Sequence, residues 1–355
     1  MSDVPAPPID RWYLDHLVCP RDHQPLTQQH ATLVCPGDHR YPLVDGIPVM
    51  LVAEASETIG VAGDSLAAAV TGGGASGLYV ETLSLDPRER EGIVELQRGG
   101  SAIDPVVAYL VAATNGMMYR HLIGALGRYP IPELSLPPGE GRRLLDVGCS
   151  WGRWTLAASH RGYDAVGIDP SLGAVLAAKR VAATLGRTTR YVVGDARHLP
   201  FPSGTFDAAY SYSVIQHFSY QDAEIAVHEM GRVLRPGGVA RVQMPTRYGL
   251  RCLYHQARRR FRTATGFEVR YWTWPQLRRL FTQAVGATRV EVDGFFGIGL
   301  QRSDAHLMTP ALATVLRASE FLKSVSTALT PLQRCADSVF VESVRSSTAR
   351  DARLS

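Results

Sequence analysis

From Arg142 onward, short apolar runs alternate with segments whose apolar residues recur at helical spacing. LLDVG (144–148) reads as a buried strand and GRWTLAASH (152–160) as a helix. AVGID (165–169) is a second strand, followed by the helical SLGAVLAAKRVAATLG (171–186), with Ser171 as N-cap and Gly186 as its stop. RYVVGD (190–195) and FDAAYSYSV (206–214) are the third and fourth strands. DAEIAVHEMGRVL (222–234) is a helix ending at RPGG, and VARVQMP (239–245) is the fifth strand. Two late strand patterns, TRVEVDG (288–294) and SVFVES (338–343), follow long helical insertions. No helical pattern follows the last one, so it is expected to run antiparallel at or near a sheet edge. The alternation predicts the α/β class, with a doubly wound, mostly parallel sheet.

The chain before residue 141 has another texture. Residues 1–53 are proline-rich and carry a repeated cysteine motif, which predicts a small β domain. Residues 54–140 form a linker and helical segment: TGGGASG (71–77) reads as flexible, and helical patterns cover 87–97 and 104–126. Residues 141–345 are the α/β domain, and 346–355 a flexible tail.

Composition narrows the class. Hydrophobic content of 45% and charged content of 20% describe a soluble globular protein. The net charge of +4 is too mild to argue for nucleic acid. The start, MSDVPAPPIDRW, lacks the apolar core of a signal peptide. The longest apolar run, near 105–118, is too short for a bilayer. Five cysteines are too few, and odd in number, for a disulfide framework. The expectation is a cytoplasmic protein with no membrane partner.

In open parallel sheets, ligands sit at the carboxyl ends of the strands. Asp146, Asp169 and Asp195 end or nearly end three consecutive strands. The turn after the first reads G-C-S-W-G, with Ser150 where a dinucleotide fingerprint needs its second glycine. A pyrophosphate would also be repelled by Asp146. A phosphate-free cofactor with a cationic amino-acid end, S-adenosylmethionine, meets neither objection. Asp146 would then help hold the amino-acid end, and Gly148 and Gly152 would let the backbone turn closely. Asp169 would accept both ribose hydroxyls through its two oxygens. Asp195 would accept from the adenine amino group, with the Ala196 amide facing a ring nitrogen.

The runs D-V-G-C-S-W-G, G-I-D-P-S, G-D-A-R-H-L-P-F-P-S-G-T-F-D and L-R-P-G-G together resemble the class I S-adenosylmethionine-dependent methyltransferases. The resemblance is good over 142–245 and loose beyond. It implies a Rossmann-like seven-stranded sheet with the last strand reversed, and it adds Ser150, Pro170 and Ser213 to the cofactor contacts. Ser150 departs from the glycine of many members.

Several residues carry two readings. His217, in SVIQHF past the fourth strand, is the candidate general base, or a pocket-lining residue. Tyr210, Tyr212 and Gln216 are candidate walls, and Tyr248 and His255 candidate lid residues. Trp272 and Trp274 would wall an aromatic or apolar acceptor, or anchor the next helix. HQARRRFR (255–262) is the one concentrated basic patch. On a helix it puts Arg258, Arg259 and Arg262 partly on one side, facing an acidic substrate, RNA or only solvent. Cys149 reads as a packing residue and Asp207 as a strand-positioning one.

C-P-R-D-H and C-P-G-D-H repeat with a period of 16 residues. Paired knuckles at this distance suggest a zinc ribbon. The tail YPLVDGIPVML resembles the small zinc-ribbon partners of tRNA and release-factor methyltransferases, where the pattern is C-x-x-C twice. Here Asp22 and Asp38 stand in place of the second cysteines, and His23 and His39 follow. Cys19, His23, Cys35 and His39 would supply a structural zinc site, or the ribbon would keep its fold by apolar packing alone.

The leading expectation is a methyltransferase acting on a small molecule. RNA or protein methylation, a non-catalytic interaction protein and an NAD-dependent oxidoreductase are the competitors, the last disfavoured by Ser150.

Overall fold

A computed structural model of the chain describes residues 8–52, 60–72, 76–115, 117–297 and 301–347, with side chains of 113–118 outside that description. The N-terminal unit consists of α1 (Arg11–His16) and a four-stranded antiparallel sheet: β1 (Thr27–Gln29), β2 (Thr32–Val34), β3 (Arg40–Val44) and β4 (Ile47–Pro48). Helices α2 (Gly60–Thr71), α3 (Pro87–Gly99) and α4 (Pro105–Asn115) follow. The stretch expected as a linker thus begins inside a helix at Thr71, and 73–75 lie outside the described residues.

The large domain alternates as expected. Its elements are β5 (Arg143–Val147), α5 (Arg153–His160), β6 (Asp164–Asp169), α6 (Leu172–Thr184), β7 (Arg190–Val193), β8 (Phe206–Tyr212), α7 (Tyr220–Val233) and β9 (Leu234–Pro245). Then come α8 (Leu250–Arg258), α9 (Trp274–Ala284), β10 (Gly286–Gly294), α10 (Pro310–Ser326), α11 (Thr330–Gln333) and β11 (Ser338–Arg345). Ser171 caps α6, accepting from the Ala174 amide. The helix ends before RPGG as expected, with α7 stopping at Val233, and the RPGG segment also opens β9, where Gly237 takes φ +78° and the register against β8 slips.

The seven strands lie in the order β7-β6-β5-β8-β9-β11-β10. β5 to β9 are parallel, whereas β11 runs antiparallel between β9 and the edge strand β10. The last strand is therefore reversed, one place in from the edge. Alternate residues serve opposite faces. Leu145, Val166, Ala209 and Val341 pack with α7 and α9, while Leu144, Ala165, Ala208 and Phe340 pack with α5. Asp207 ties the starts of three strands together: Oδ2 accepts from the Arg143 amide and Oδ1 pairs with Arg235.

The ribbon is welded to the large domain. The Met50 amide donates to the Val193 carbonyl at 2.7 Å, so the chain leaving β4 continues the large sheet beyond β7. Tyr13 Oη, on α1, donates to the Tyr191 carbonyl at 2.9 Å. Leu17, Leu33 and Met50 share one core with Val192 and Leu199. At the other end, the insertion after β10 is anchored by Asp304, 1% exposed, which takes hydrogen bonds from Arg153 and Tyr119. No described helix is long and apolar enough to cross a membrane.

Candidate active site

A cavity of about 1180 Å³ opens at the carboxyl ends of β5, β6, β7 and β8. Gly148, Ser150, Asp169, Pro170, Asp195, Ala196 and Ser213, which the sequence offered as cofactor contacts, line it. Gly148 (φ +78°) and Ser150 (φ +47°) bend the turn between β5 and α5. A Cβ at Gly148 would meet Val214 at 2.2 Å, so only glycine fits there.

Asp169 is the centre of this end. Its Oδ2 accepts from the Ser150 amide at 2.9 Å and its Oδ1 from the Ser171 amide at 3.0 Å. Each oxygen holds one donor and keeps capacity for another. Burial pushes its pKa up to about 6, against the lowering effect of those two amides.

Two expected contacts sit elsewhere. Asp146, 1% exposed, lies behind the cavity wall, where its carboxyl accepts from Thr155 Oγ1 at 2.7 Å; burial raises its pKa to about 7. Gly152 also lies outside the wall; its Cβ would strike Tyr191 Oη at 2.6 Å, so packing demands the glycine. Asp195 does line the cavity, but its carboxylate is engaged by Arg197, whose backbone amide, Nε and NH2 all donate to it. Arg197 stood inside the G-D-A-R-H run without being singled out, and Thr155 gave no signal of its own.

The opposite wall is built after β8. Ser213 takes φ +59° and donates through Oγ to Gln243 Oε1 at 3.0 Å. Gln216 is 4% exposed, yet its Oε1 has no partner. His217 stacks on Phe267 with ring centroids 3.9 Å apart, and its Nδ1 lies 2.7 Å from the Phe267 carbonyl. Nδ1 therefore carries the proton, and Nε2 presents a lone pair beside Gln216 Nε2 at 3.4 Å. Burial lowers the His217 pKa to about 4, so the ring is neutral near pH 7.

The other candidates divide. Tyr212 and His255 line the cavity, but Tyr210 is buried against Trp154 and Tyr248 is exposed at the surface. Trp272 packs edge-on against Tyr220, and Trp274 is the first residue of α9; neither reaches the cavity, so both act as anchors. Cys149 is buried packing. The basic run is not one helical face: α8 stops at Arg258, and Arg260 and Phe261 take positive φ, which swings Arg262 out to pair with Glu268. All the same, Arg258, Arg259, Arg260 and Arg262 line the cavity mouth.

The ribbon carries a second cluster. One donor atom from each of Cys19, Asp22, Cys35 and His39 lies within 4.8 Å of the others. His23, expected as a ligand, is not in that group. The knuckle brings the third residue after Cys19 inward, and His23, at φ +55°, turns away. The second repeat differs: Asp38 pairs with Arg40 at the surface and His39 comes in.

Residues 144–238 match the family model described as methyltransferase domain. A ubiquinone biosynthesis O-methyltransferase of Azorhizobium caulinodans is 30% identical over 105 residues, 30% of this chain and 41% of that protein. A demethylmenaquinone methyltransferase of Thermus thermophilus is 36% identical over 99 residues, 27% of this chain and 44% of that protein. The chain thus spans less than half the length of these relatives. Among solved structures, a chain from the complex of the Haloferax volcanii Trm112 methyltransferase activator with a methyltransferase is 16% identical, with a TM-score of 0.42, covering 73% of this chain and 99% of that one. The sheet and the matched domain are those of a class I methyltransferase fold.

Proposed function

We propose that the chain moves a methyl group from S-adenosylmethionine to a small-molecule acceptor bound in the same cavity. The observation that carries this reading is continuity. One cavity runs from Ser150 and Asp169 to Gln216 and His217. Pockets for one drug-sized ligand span ~300–1000 Å³, so about 1180 Å³ has room for a cofactor and a small acceptor. The matched methyltransferase domain and the names of the curated relatives support the same reading.

The residues fit the cofactor by donor chemistry. Asp169 has one acceptor position left on each oxygen for a ribose diol, and Gly148 brings its backbone to the cavity wall. Ala196 offers its backbone beside the adenine position. The Ser150 amide is engaged by Asp169, so it is not free to hold a pyrophosphate, which argues against a dinucleotide. When bound, S-adenosylmethionine supplies a methyl carbon on an already activated sulfonium. The chain's own task is alignment, which can supply much of the barrier reduction. The turn that carries Gln216 and His217 lines the cavity and places an acceptor O–H or N–H, while the His217 Nε2 lone pair faces Gln216 Nε2 at 3.4 Å. An imidazole held so far below its usual pKa takes up a proton weakly, so His217 is read as an orienting group rather than a strong base.

The ribbon's cluster fits zinc. Two thiols, an imidazole and a carboxylate are all zinc ligands, and a closed four-ligand site is structural. The metal would be held by Cys19, Asp22, Cys35 and His39. A cytoplasmic location belongs to the same proposal: the five cysteines are unpaired, and thiols stay reduced in that compartment.

The test is incubation with S-adenosylmethionine labelled on its methyl group and a panel of small phenols, amines and acids, with RNA and protein as controls. Label in a small molecule supports the reading. Label only in RNA or protein contradicts it. Cofactor binding with no transfer to any of them returns the non-catalytic interaction protein.

A further inference from the structure

The cavity is electrostatically lopsided. Its inner end holds Asp169 and Asp195, the latter neutralised by Arg197. Its mouth is lined by Arg251, Arg258, Arg259, Arg260 and Arg262, with Glu268 as the carboxylate among them. Glu268 is taken by Arg262, through two hydrogen bonds of 2.6 and 2.7 Å. Among the described residues, the other four arginines have no carboxylate partner. Arg251 donates to His255 Nε2 and to the Phe296 carbonyl. Arg258 lies over the Tyr254 ring. Arg259 lies over the Tyr271 ring and gives one NH1 donor to the Val269 carbonyl at 2.9 Å, but its Nε is buried with no partner.

A buried guanidinium N–H without an acceptor is costly unless a ligand supplies one. Unbalanced positive charge inside a cavity, with low-dielectric walls, attracts anions. The mouth is also held in place. Arg270 NH1 donates to the carbonyls of His217, Gly266 and Glu268, and the Arg270 amide donates to the Gln216 carbonyl. The loop that follows the basic run is therefore fastened to the turn that carries Gln216 and His217. Gln216 Oε1, on that turn, is likewise buried and without a hydrogen-bond partner. It lacks a donor as Arg259 Nε lacks an acceptor.

Resting on the methyltransferase reading, we propose that the acceptor is a small anion whose carboxylate or phosphate sits against Arg251, Arg258, Arg259 and Arg260, with its O–H or N–H end toward the turn that carries Gln216 and His217. A planar guanidinium suits either oxyanion, since both accept two parallel N–H bonds. The enclosing walls favour a small molecule over a polymer. Ser84, Leu83 and Val61, from the insertion before β5, and Tyr271, after the basic run, close round the space.

The test uses the full chain saturated with S-adenosylhomocysteine, titrated calorimetrically with 4-hydroxybenzoate, 4-hydroxyphenyl phosphate and neutral 4-hydroxybenzamide. At least one anion is expected to bind tenfold or more tighter than the amide, and which anion wins separates carboxylate from phosphate. Arg259→Gln is expected to erase that preference while S-adenosylhomocysteine binding stays within about twofold of wild type. Arg259→Lys is expected to keep part of it, because the charge remains while the fork is lost. Equal binding of anions and amide, or an anion preference that survives Arg259→Gln and Arg258→Gln/Arg260→Gln together, overturns the proposal. Tighter binding of an RNA oligomer, with a steep salt dependence that the same variants flatten, also overturns it, in favour of a nucleic-acid acceptor. Loss of S-adenosylhomocysteine binding by the wild-type chain would instead overturn the cofactor reading beneath it.

Discussion

The backbone amide of Ser150 donates to Oδ2 of Asp169 at 2.9 Å, joining the turn after β5 to the end of β6. The residue that breaks the dinucleotide fingerprint is thus the one that orients the carboxylate. A serine at φ +47° carries backbone strain that glycine would not. Ser150→Gly keeps the amide. It is expected to bind S-adenosylhomocysteine within about threefold of wild type, still without NADH binding, and to leave stability unchanged or raised by up to ~1 kcal/mol. Calorimetry and urea unfolding check both.

Asp146 should leave a signature in the pH dependence of stability. Its carboxyl pKa is raised by burial to about 7 in the folded chain, from an ordinary value near ~4 when unfolded. Between those values the native state holds a proton that the unfolded state has released. Stability contributed by this group is therefore present at low pH and falls as pH rises through the window, by on the order of 1 kcal/mol per pH unit. Asp146→Asn keeps an acceptor for Thr155 and removes the titration. The variant is expected to gain on wild type steadily from pH 4 to 7 in urea unfolding. A constant difference between them would contradict the assignment.

Arg153 and Asp304 form a buried pair, 5% and 1% exposed at their side chains, that fixes the late insertion to α5. Removing one partner strands the other charge. Asp304→Ala is expected to lower stability by ~3–5 kcal/mol. The double change Arg153→Met/Asp304→Leu is expected to recover most of that loss, as read from denaturant midpoints.

The ribbon cluster makes a clean distinction between neighbours. One zinc per chain is expected by elemental analysis of protein purified without chelator. Asp22→Ala is expected to lose the metal, and His23→Ala to retain it. A chelator should lower the melting temperature of wild type and His23→Ala, but not of Asp22→Ala. Retention of zinc by Asp22→Ala would sink this ligand set.

The sheet was legible because each strand is a short apolar run closed by a polar turn, and Asp169 was legible because it ends such a run just before the Ser171 cap. What failed were inferences about direction at single positions. Asp22 and His23 are adjacent, and only the left-handed backbone at His23 decides which faces Cys35. Placed on a helix, the basic run would put three arginines partly on one side, yet Arg260 and Phe261 both break the helical φ. Asp195 was visible as a strand-end acid, but its pairing with Arg197 is made by a turn two residues long. Of the two readings open for the tryptophans of YWTWP, the anchor is the one observed, since Thr246 pairs with Trp272 and holds it in the core.

The most direct test of the cofactor site is calorimetric titration of the purified chain with S-adenosylhomocysteine, with NADH as control and Asp169→Ala beside wild type. The predicted result is micromolar binding of S-adenosylhomocysteine to wild type, none of NADH, and a loss of at least tenfold in the variant. Binding of NADH, or S-adenosylhomocysteine binding that Asp169→Ala leaves intact, would contradict the assignment of this cavity.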